Sequence, residues 1–170
     1  MVTQEQLKEL LHYCPDTGTF TWKNRASRRV RIGDKAGCTG TEGYISIRIN
    51  YKTYSAHRLA FFYMTGSWPV DQVDHINQVR DDNRWENLRP VTPQENQKNA
   101  SMHSRNKSGM TGVCWCTQNG KWRAQIRVNE KIKHLGIFVV KEDAVSARKA
   151  ANIKYGFHSN HGAKHENNKS

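Results

Sequence analysis

The sequence predicts an α+β protein in two parts: an N-terminal ββα domain, followed by a three-stranded antiparallel sheet packed on one helix. Three observations predict this fold class. Residues 73–99 contain two short apolar segments around a polar loop and then a helix start. Residues 112–138 contain three segments in which polar and apolar residues alternate. Residues 101–109, SMHSRNKSG, are small, polar and basic, as expected for a linker.

The elements before residue 66 follow from caps, turns and alternation. Thr3 can cap a first helix whose leucines fall on one face, and the PDTG sequence is a turn. A basic, irregular stretch, NRASRRVRIGDKA, follows the first strand and has no assigned role. The expected elements are a helix at 3–13, strands at 19–22, 43–50 and 53–56, and a helix at 57–63.

The central strand–loop–strand–helix pattern contains the candidate catalytic and metal-binding residues. A short strand is expected at 73–76, a polar loop at 77–86, and a second strand at 88–91, where a proline indicates a sheet edge. A helix is then expected to begin at Pro93, a residue favoured at the first helical position, with Thr92 as its N-cap and Glu95 completing a capping box.

Hydrolysis of a phosphodiester bond needs a divalent cation, a base and cationic groups that hold the backbone. One carboxylate and one amide oxygen suffice for Mg²⁺, because this ion keeps several waters. Asp74 and Asn96 meet that requirement, with Asn99 or His103 as substitutes one and two turns along the same helix face. His75 is the candidate base. Adjacent strand residues point to opposite faces, so a twist or bulge at the strand end would be needed to bring both to one phosphate.

Residues 57–99, with the segments HRLAF, VDHIN, DNRWENLRPVT and ENQKN, resemble the HNH (ββα-metal) endonucleases of phage and intron origin, which include homing enzymes. The resemblance implies that His75 is the general base and that Asp74 and Asn96 bind one Mg²⁺ or Mn²⁺ ion per active site. It also implies that Asn87 fixes the loop and orients the histidine. Many family members have histidine in place of Asn96, and an amide oxygen suits Mg²⁺ better than Zn²⁺.

The charge of the chain predicts a nucleic-acid partner. Its 27 lysines and arginines against 15 acidic residues give a net charge of +12, of which residues 100–170 carry +9. Arg84 and Arg89 are candidates for phosphate contact, the alternative being surface pairing with nearby carboxylates. No apolar run reaches the length of a membrane span and the N-terminus lacks a signal peptide, so a cytoplasmic protein is expected.

The second part is expected to contact DNA through its sheet, because a β-sheet can enter the major groove. Strands at 112–115, 122–128 and 132–138 precede a helix at 141–155. The candidate DNA contacts on the second strand alternate along the chain and so share one face; they are Lys121, Arg123, Gln125 and Arg127. The candidates on the third strand, Lys131 and Lys133, are in phase with each other. The segment SGMTGVCWCTQNGKWRAQIRVNEKIKHLGIFVVKEDAVSARKAA resembles the Apetala-two (ethylene-response-factor) DNA-binding domain.

The resulting prediction is a metal-dependent endonuclease of the homing type that cuts duplex DNA at preferred sites and nicks one strand as a monomer. The alternatives are a sequence-specific DNA-binding regulator without cleavage activity, and an RNA-binding protein. The expected domains are a nuclease domain at 1–100, a linker at 101–109, a DNA-binding domain at 110–157 and a polar tail at 158–170.

Overall fold

A computed structural model describes residues 1–163 of the 170-residue chain. The contacts divide the chain into two compact units, Met1–Pro93 and Gln94–Ser170. Both units mix helices with small antiparallel sheets, in agreement with the predicted α+β class. None of the helices within residues 1–163 combines the length and apolar character that a membrane-spanning helix requires.

The first unit consists of three small antiparallel sheets, two α-helices and a short 3-10 helix at Trp85–Asn87. The α-helices are α1 (Gln4–Leu10) and α2 (Ala56–Thr65). The strands are β1 (Leu11–Cys14) paired with β2 (Thr19–Trp22), the sheet of β3 (Cys38–Thr39), β4 (Ile45–Ile49) and β5 (Lys52–Ser55), and β6 (Gln72–His75) paired with β7 (Leu88–Val91).

The first helix starts as predicted and ends early. The hydroxyl of Thr3 accepts the N–H of Gln6, and the Gln6 side chain accepts the N–H of Thr3, which completes a capping box. The expected helix to residue 13 is wrong, because Leu11 and Tyr13 instead become alternate, buried residues of β1. Pairing of β1 with β2 replaces the last helical turn and supports the hairpin that precedes the basic stretch.

One apolar core joins the elements of the first unit. Tyr13, Phe20 and Tyr63 pack ring to ring, with centroids 4.8–6.1 Å apart, and connect the β1–β2 hairpin to α2. Val73 of β6 and Leu88 of β7 belong to the same core. The β6–β7 ribbon, which carries Asp74 and His75, is therefore fixed to the rest of the unit by apolar packing.

The second unit has the predicted sheet and helix. The helix α3 spans Pro93–Lys98, and the strands β8 (Val113–Cys116), β9 (Lys121–Val128) and β10 (Lys131–Phe138) form an antiparallel sheet with β9 in the middle. The helix α4 (Lys141–Lys154) packs on this sheet through a small core of Val113, Ala124 and Ala144.

The expected domain boundary at residue 100 differs from the division at residues 93 and 94. The N–H of Met102 donates to the carbonyl of Ala163 (3.0 Å), and the N–H of Gly162 donates to the carbonyl of Ala100 (2.9 Å). Ala100 and Met102, at the junction of the expected nuclease domain and linker, thus bind the described part of the expected tail, residues 158–163, within one unit. These contacts are between backbones, so the polar composition of both segments gave no sign of them. Residues 164–170 of the expected tail lie outside the described residues.

A buried arginine links α4 to the sheet and to the C-terminal segment. Arg148 is only 3% exposed, and its guanidinium donates to the carbonyl of Gln125 (2.6 Å) and to Oδ1 of Asn152 (3.0 Å). It also contacts Nε2 of His161 at 3.2 Å. Burial, with the charge of Arg148 as a second cause, lowers the pKa of His161 to about 4, so this imidazole is neutral near pH 7.

Candidate active site

The β6–β7 ribbon places Asp74 and His75 on opposite faces. Asp74 lies directly across from Arg89, and His75 lies directly across from Leu88. Val73 and His75 are buried, whereas Asp74 is on the more exposed face, so the strand alternates as expected from the sequence. Because His75 is the last residue of β6, a phosphate at the end of the ribbon would meet the two side chains from different sides.

Asp74 is held by a cationic partner. One carboxylate oxygen, Oδ2, accepts hydrogen bonds from Nε (3.1 Å) and Nη2 (2.8 Å) of Arg89. The Asp74 side chain is 10% exposed, so this pair lies at the edge of the folded unit and orients the carboxylate. Arg89, a predicted phosphate contact, is thus an ion-pair partner of the predicted metal ligand in this structure.

His75 is enclosed by three side chains of the first unit. Its Nε2 lies 3.0 Å from Oδ1 of Asn83, and its ring centroid lies 5.1 Å from that of His57 and 5.9 Å from that of Tyr44. His75 is 4% exposed and Asn83 is 1% exposed. Because the amide nitrogen of Asn83 donates to the carbonyl of Asp81 (3.3 Å), its oxygen faces the histidine. Nε2 of His75 therefore carries the proton, and Nδ1 carries the lone pair.

Burial keeps both histidines neutral near pH 7. Burial lowers the pKa of His75, while the hydrogen bond with Asn83 and the charge of Asp74 act in the opposite direction. Burial is also the main cause that lowers the pKa of His57 to about 3, with smaller contributions from His75 and Arg58. A neutral imidazole with a defined tautomer is the form of histidine that can accept a proton.

Asn87 closes the loop between the two strands. Its side-chain oxygen accepts the N–H of Asn77 (3.0 Å), and its amide nitrogen donates to Oδ1 of Asn77 (2.9 Å) and to the carbonyl of Asp82 (2.7 Å). Asn87 is 5% exposed. Its contacts therefore hold the loop, and the asparagine that bonds to His75 is Asn83.

Arg84 is engaged within the same loop. Its guanidinium donates two hydrogen bonds of 2.8 Å to the carboxylate of Asp82 and one of 2.8 Å to Glu86. The hydrogen bonds from Arg84 are the main cause that lowers the pKa of Asp82 to about 2. Of the two roles considered for Arg84, phosphate contact or pairing with neighbouring carboxylates, this structure contains the pairing.

The N-terminal hairpin supports the loop from outside. The hydroxyl of Tyr13 donates to the carbonyl of Asn83 (2.7 Å), and the N–H of Trp85 donates to the carbonyl of Pro15 (2.9 Å). Gly18 has φ +69°, and a Cβ on it would lie 2.3 Å from the carbonyl carbon of Asn83. Glycine is therefore required where the β1–β2 turn approaches the loop backbone.

The first unit contains a cavity of about 420 Å³. Two of its lining residues, Tyr44 and His57, are the same rings that contact His75. Arg80 stacks over Tyr44 at 5.0 Å and donates to the carbonyl of Glu42 (2.6 Å), so a cation borders the cavity. The other lining residues are Gly40, Thr41, Glu42, Ser46 and Ser55.

The helix with the second predicted metal ligand is shorter than expected. Asn96 lies in α3, which ends at Lys98, and the N–H of Asn99 donates to the carbonyl of Asn96 (3.0 Å). The expectation that His103 continues the helical face is wrong, because His103 lies in a separate turn in which its carbonyl accepts the N–H of Asn106. Within the described residues, no three His, Cys, Asp or Glu side chains form a metal-binding group.

In the second unit, the sheet has one face against α4 and one open face. On β9, Ala124 and Ile126 are buried on the helix side, so Arg123, Gln125 and Arg127 belong to the open face, together with Lys121. Cys114 shares that face, and its sulfur accepts a hydrogen bond from Arg123 (3.6 Å).

The register of β10 separates Lys131 and Lys133 from those residues. Lys131 is paired with Val128 and Lys133 with Ile126, so both lysines lie on the helix side. Lys133 accordingly lies 4.7 Å from the ring centroid of Tyr155. The residues of β10 on the open face are Ile132 and His134 and, beyond a bulge between His134 and Gly136, Ile137.

Sequence reasoning missed Asn83 and did not connect Tyr44 or His57 with the site. Asn83 lies in a polar DDNR segment, which reads as a solvated loop, and His57 alone reads as a structural histidine. Neither residue lies in a local sequence pattern that predicts its contact with His75.

Comparison with known proteins identifies one matching family. Residues 54–98 match the family model for HNH endonuclease, and this segment contains all four residues of the predicted catalytic centre. The match supports a nuclease that acts on DNA, and it covers the centre of the chain, after α1 and β1–β4. No curated protein and no solved structure matched the chain. The Apetala-two resemblance and the phage or intron origin stay predictions.

Proposed function

We propose that this protein is a metal-dependent endonuclease of the homing type, which hydrolyses one strand of duplex DNA at a time. The observation that carries the proposal is the HNH endonuclease match over residues 54–98, within which His75 is buried, neutral and bonded to an asparagine. A nuclease needs a base of this kind to take a proton from the attacking water.

In the proposed reaction, Nδ1 of His75 accepts the proton from water. Asn83 accepts the N–H of Nε2 and so keeps the lone pair on Nδ1, which makes it a positioning residue. The cavity beside Tyr44 and His57 is the proposed route by which water and the scissile phosphate reach the imidazole. Asn87 holds the loop that carries Asn83 in place through its bonds to Asn77 and Asp82.

Asp74 and Asn96 are the proposed ligands of one Mg²⁺ or Mn²⁺ ion. Their chemistry fits, because these ions take carboxylate and amide oxygens. Asp74 already binds a cationic group, the guanidinium of Arg89, which orients its carboxylate in the way that a partner of a metal ligand does. When bound, the cation would neutralise charge on the scissile phosphate and on the leaving oxygen.

The open face of the second sheet is the proposed DNA-binding surface. Arginine on such a face can bind guanine or phosphate, and the +9 net charge of residues 100–170 favours this partner. A paired comparison tests the face. We expect R123Q/R127Q to weaken binding to duplex DNA more than K131Q/K133Q, because the two lysines lie on the helix side. Equal losses in both variants would contradict the assignment.

Cleavage of supercoiled plasmid tests the activity. We expect nicking with Mg²⁺ or Mn²⁺, none with EDTA, and none in a His75→Ala variant that still binds duplex DNA. Circular DNA that carries candidate target sites extends the assay if ordinary plasmids are not cut. Duplex binding without cleavage of any DNA in either metal would instead favour the DNA-binding regulator. Loss of DNA binding in His75→Ala would place this residue in folding rather than in chemistry.

A further inference from the structure

The basic loop, residues 24–36, carries the whole positive charge excess of the first unit. Residues 1–93 contain 13 basic and 10 acidic residues, and five of the basic residues but one of the acidic residues lie in the basic loop. The rest of the unit has eight basic and nine acidic residues. A unit of that composition has no net attraction for a polyanion unless the loop supplies it.

The cations of the basic loop are exposed and have no carboxylate partners. Arg25, Arg28, Arg29, Arg31 and Lys35 are all exposed, and no ion pair within residues 1–163 includes any of them. Asp34, the acidic residue of the loop, instead accepts the backbone N–H of Arg31 through its carboxylate (2.7 Å). The arrangement contrasts with Arg84 and Arg89, whose guanidinium groups are paired with carboxylates.

The backbone of the basic loop is nevertheless fixed to the fold. The N–H of Gly33 donates to the carbonyl of Trp22 (2.8 Å), and the N–H of Ala36 donates to the carbonyl of Phe20 (2.7 Å). Ala36 is buried, and the half-buried Val30 packs against the core. The loop therefore presents its cations from an anchored backbone, which lowers the entropy lost when they bind a partner.

The loop leads directly to the cavity. Ala36 is two residues before β3, and the residues that follow β3, Gly40 to Glu42, line the cavity beside His57. A polyanion bound along the basic loop would thus be bound by the same chain segment that borders the proposed catalytic cavity.

We propose that the basic loop is a second DNA-binding surface, which binds the phosphate backbone of duplex DNA independently of sequence. This inference rests on the proposed nuclease function, because it assigns the same substrate. The loop supplies the backbone affinity of the catalytic unit, while the sheet of the second unit supplies its own contacts. Exposed, unpaired arginines fit phosphate, which they bind without reading bases.

Two triple variants of the full-length protein test the proposal. R28Q/R29Q/R31Q removes three charges, and R28K/R29K/R31K keeps them with different side-chain geometry; Arg25 is left intact because it donates to the carbonyl of Arg28. Binding to a labelled mixed-sequence duplex is measured in EDTA over a range of salt concentrations. Each lost phosphate contact lowers the slope of log K against log salt by about 0.9, so the glutamine variant is expected to lose about 2 to 3 in slope.

The lysine variant is expected to keep the parental slope and most of the affinity. Unchanged binding in the glutamine variant would overturn the proposal, and so would equal weakening in both variants, since the charge would then not be the cause. If the parent protein itself fails to bind duplex DNA, the proposed nuclease function falls as well. If the parent protein binds and cleaves DNA and the glutamine variant binds equally well, only the proposed role of the basic loop is overturned, and the nuclease function stands.

Discussion

The hydrogen bond between His75 and Asn83 offers the sharpest test of the proposed catalytic centre. Both residues are almost fully buried, and the bond is 3.0 Å long. The Asn83→Ala substitution would leave the Nε2–H of His75 without its acceptor on the buried side of the ring. A buried donor left unsatisfied costs about 1–3 kcal/mol. The imidazole can avoid this cost by changing tautomer or rotating. The population of the reactive form, with its lone pair on Nδ1, then falls by the factor that corresponds to the same free energy.

That loss corresponds to a fall of about 5-fold to 150-fold in the rate of the chemical step. The assay is single-turnover nicking of plasmid with saturating protein and Mg²⁺, well below the melting temperature of each variant. Duplex binding in EDTA and thermal unfolding are measured in parallel. We expect binding to stay near the parental value while the nicking rate falls.

Asn106→Ala is the matched control. Its amide also holds a turn, because Oδ1 accepts the N–H of Gly109 (2.8 Å) and Nδ2 donates to the carbonyl of Met110 (3.1 Å), but it lies in the second unit. This variant is expected to lose stability without a change in the rate of nicking. Parental nicking by Asn83→Ala would refute the argument that Asn83 sets the tautomer of His75.

Two further predictions follow from contacts outside the catalytic centre. Gly18→Ala is expected to destabilise the first unit by more than about 1 kcal/mol, because its Cβ would meet the Asn83 backbone; Gly33→Ala, also at positive φ but with nothing within 4 Å, should lower the melting temperature less. The pKa of His161, held near 4, means that the unfolded chain binds more protons between about pH 4 and 6.5, so stability should fall as pH falls through this range. Urea unfolding of the second unit, followed by tryptophan fluorescence at neutral pH and at about pH 4.5, should show a smaller acid effect in His161→Gln, and an unchanged effect would assign the acid sensitivity to other groups.

The parts of the fold that the sequence predicted are those set by local chemistry. Alternation of polar and apolar residues located β8, β9 and β10 to within about two residues, and the capping pattern located the start of α3 at Pro93. The end of α1 was not predicted, because strand pairing with β2 overrode the helical spacing of the leucines. Pairing with a later strand leaves no mark within the segment itself.

The candidate site was predicted as residue types and not as contacts. The placement of Asn83 depends on the β1–β2 hairpin, about seventy residues earlier in the chain, which packs against the loop where Asn83 is buried. By contrast, the sequence contained enough information to predict on which face of the second sheet Lys131 and Lys133 lie. A two-residue turn at Asn129-Glu130, where both residues have positive φ, pairs residue 128 with 131 and fixes the phase of β10.

The contacts between the N-terminal β1–β2 hairpin and the loop that carries Asn83 limit how short a functional fragment of the nuclease can be. A piece cut to residues 54–98 would contain every proposed catalytic side chain. It would lack Tyr13 and Pro15, whose bonds hold Asn83 and Trp85, and would also lose the part of the apolar core that α1, β1, β2 and β4 supply. A fusion of this nuclease to another DNA-binding module should therefore retain the chain from α1 onward, since the supporting hairpin is as necessary to the imidazole as the loop that bears its acceptor.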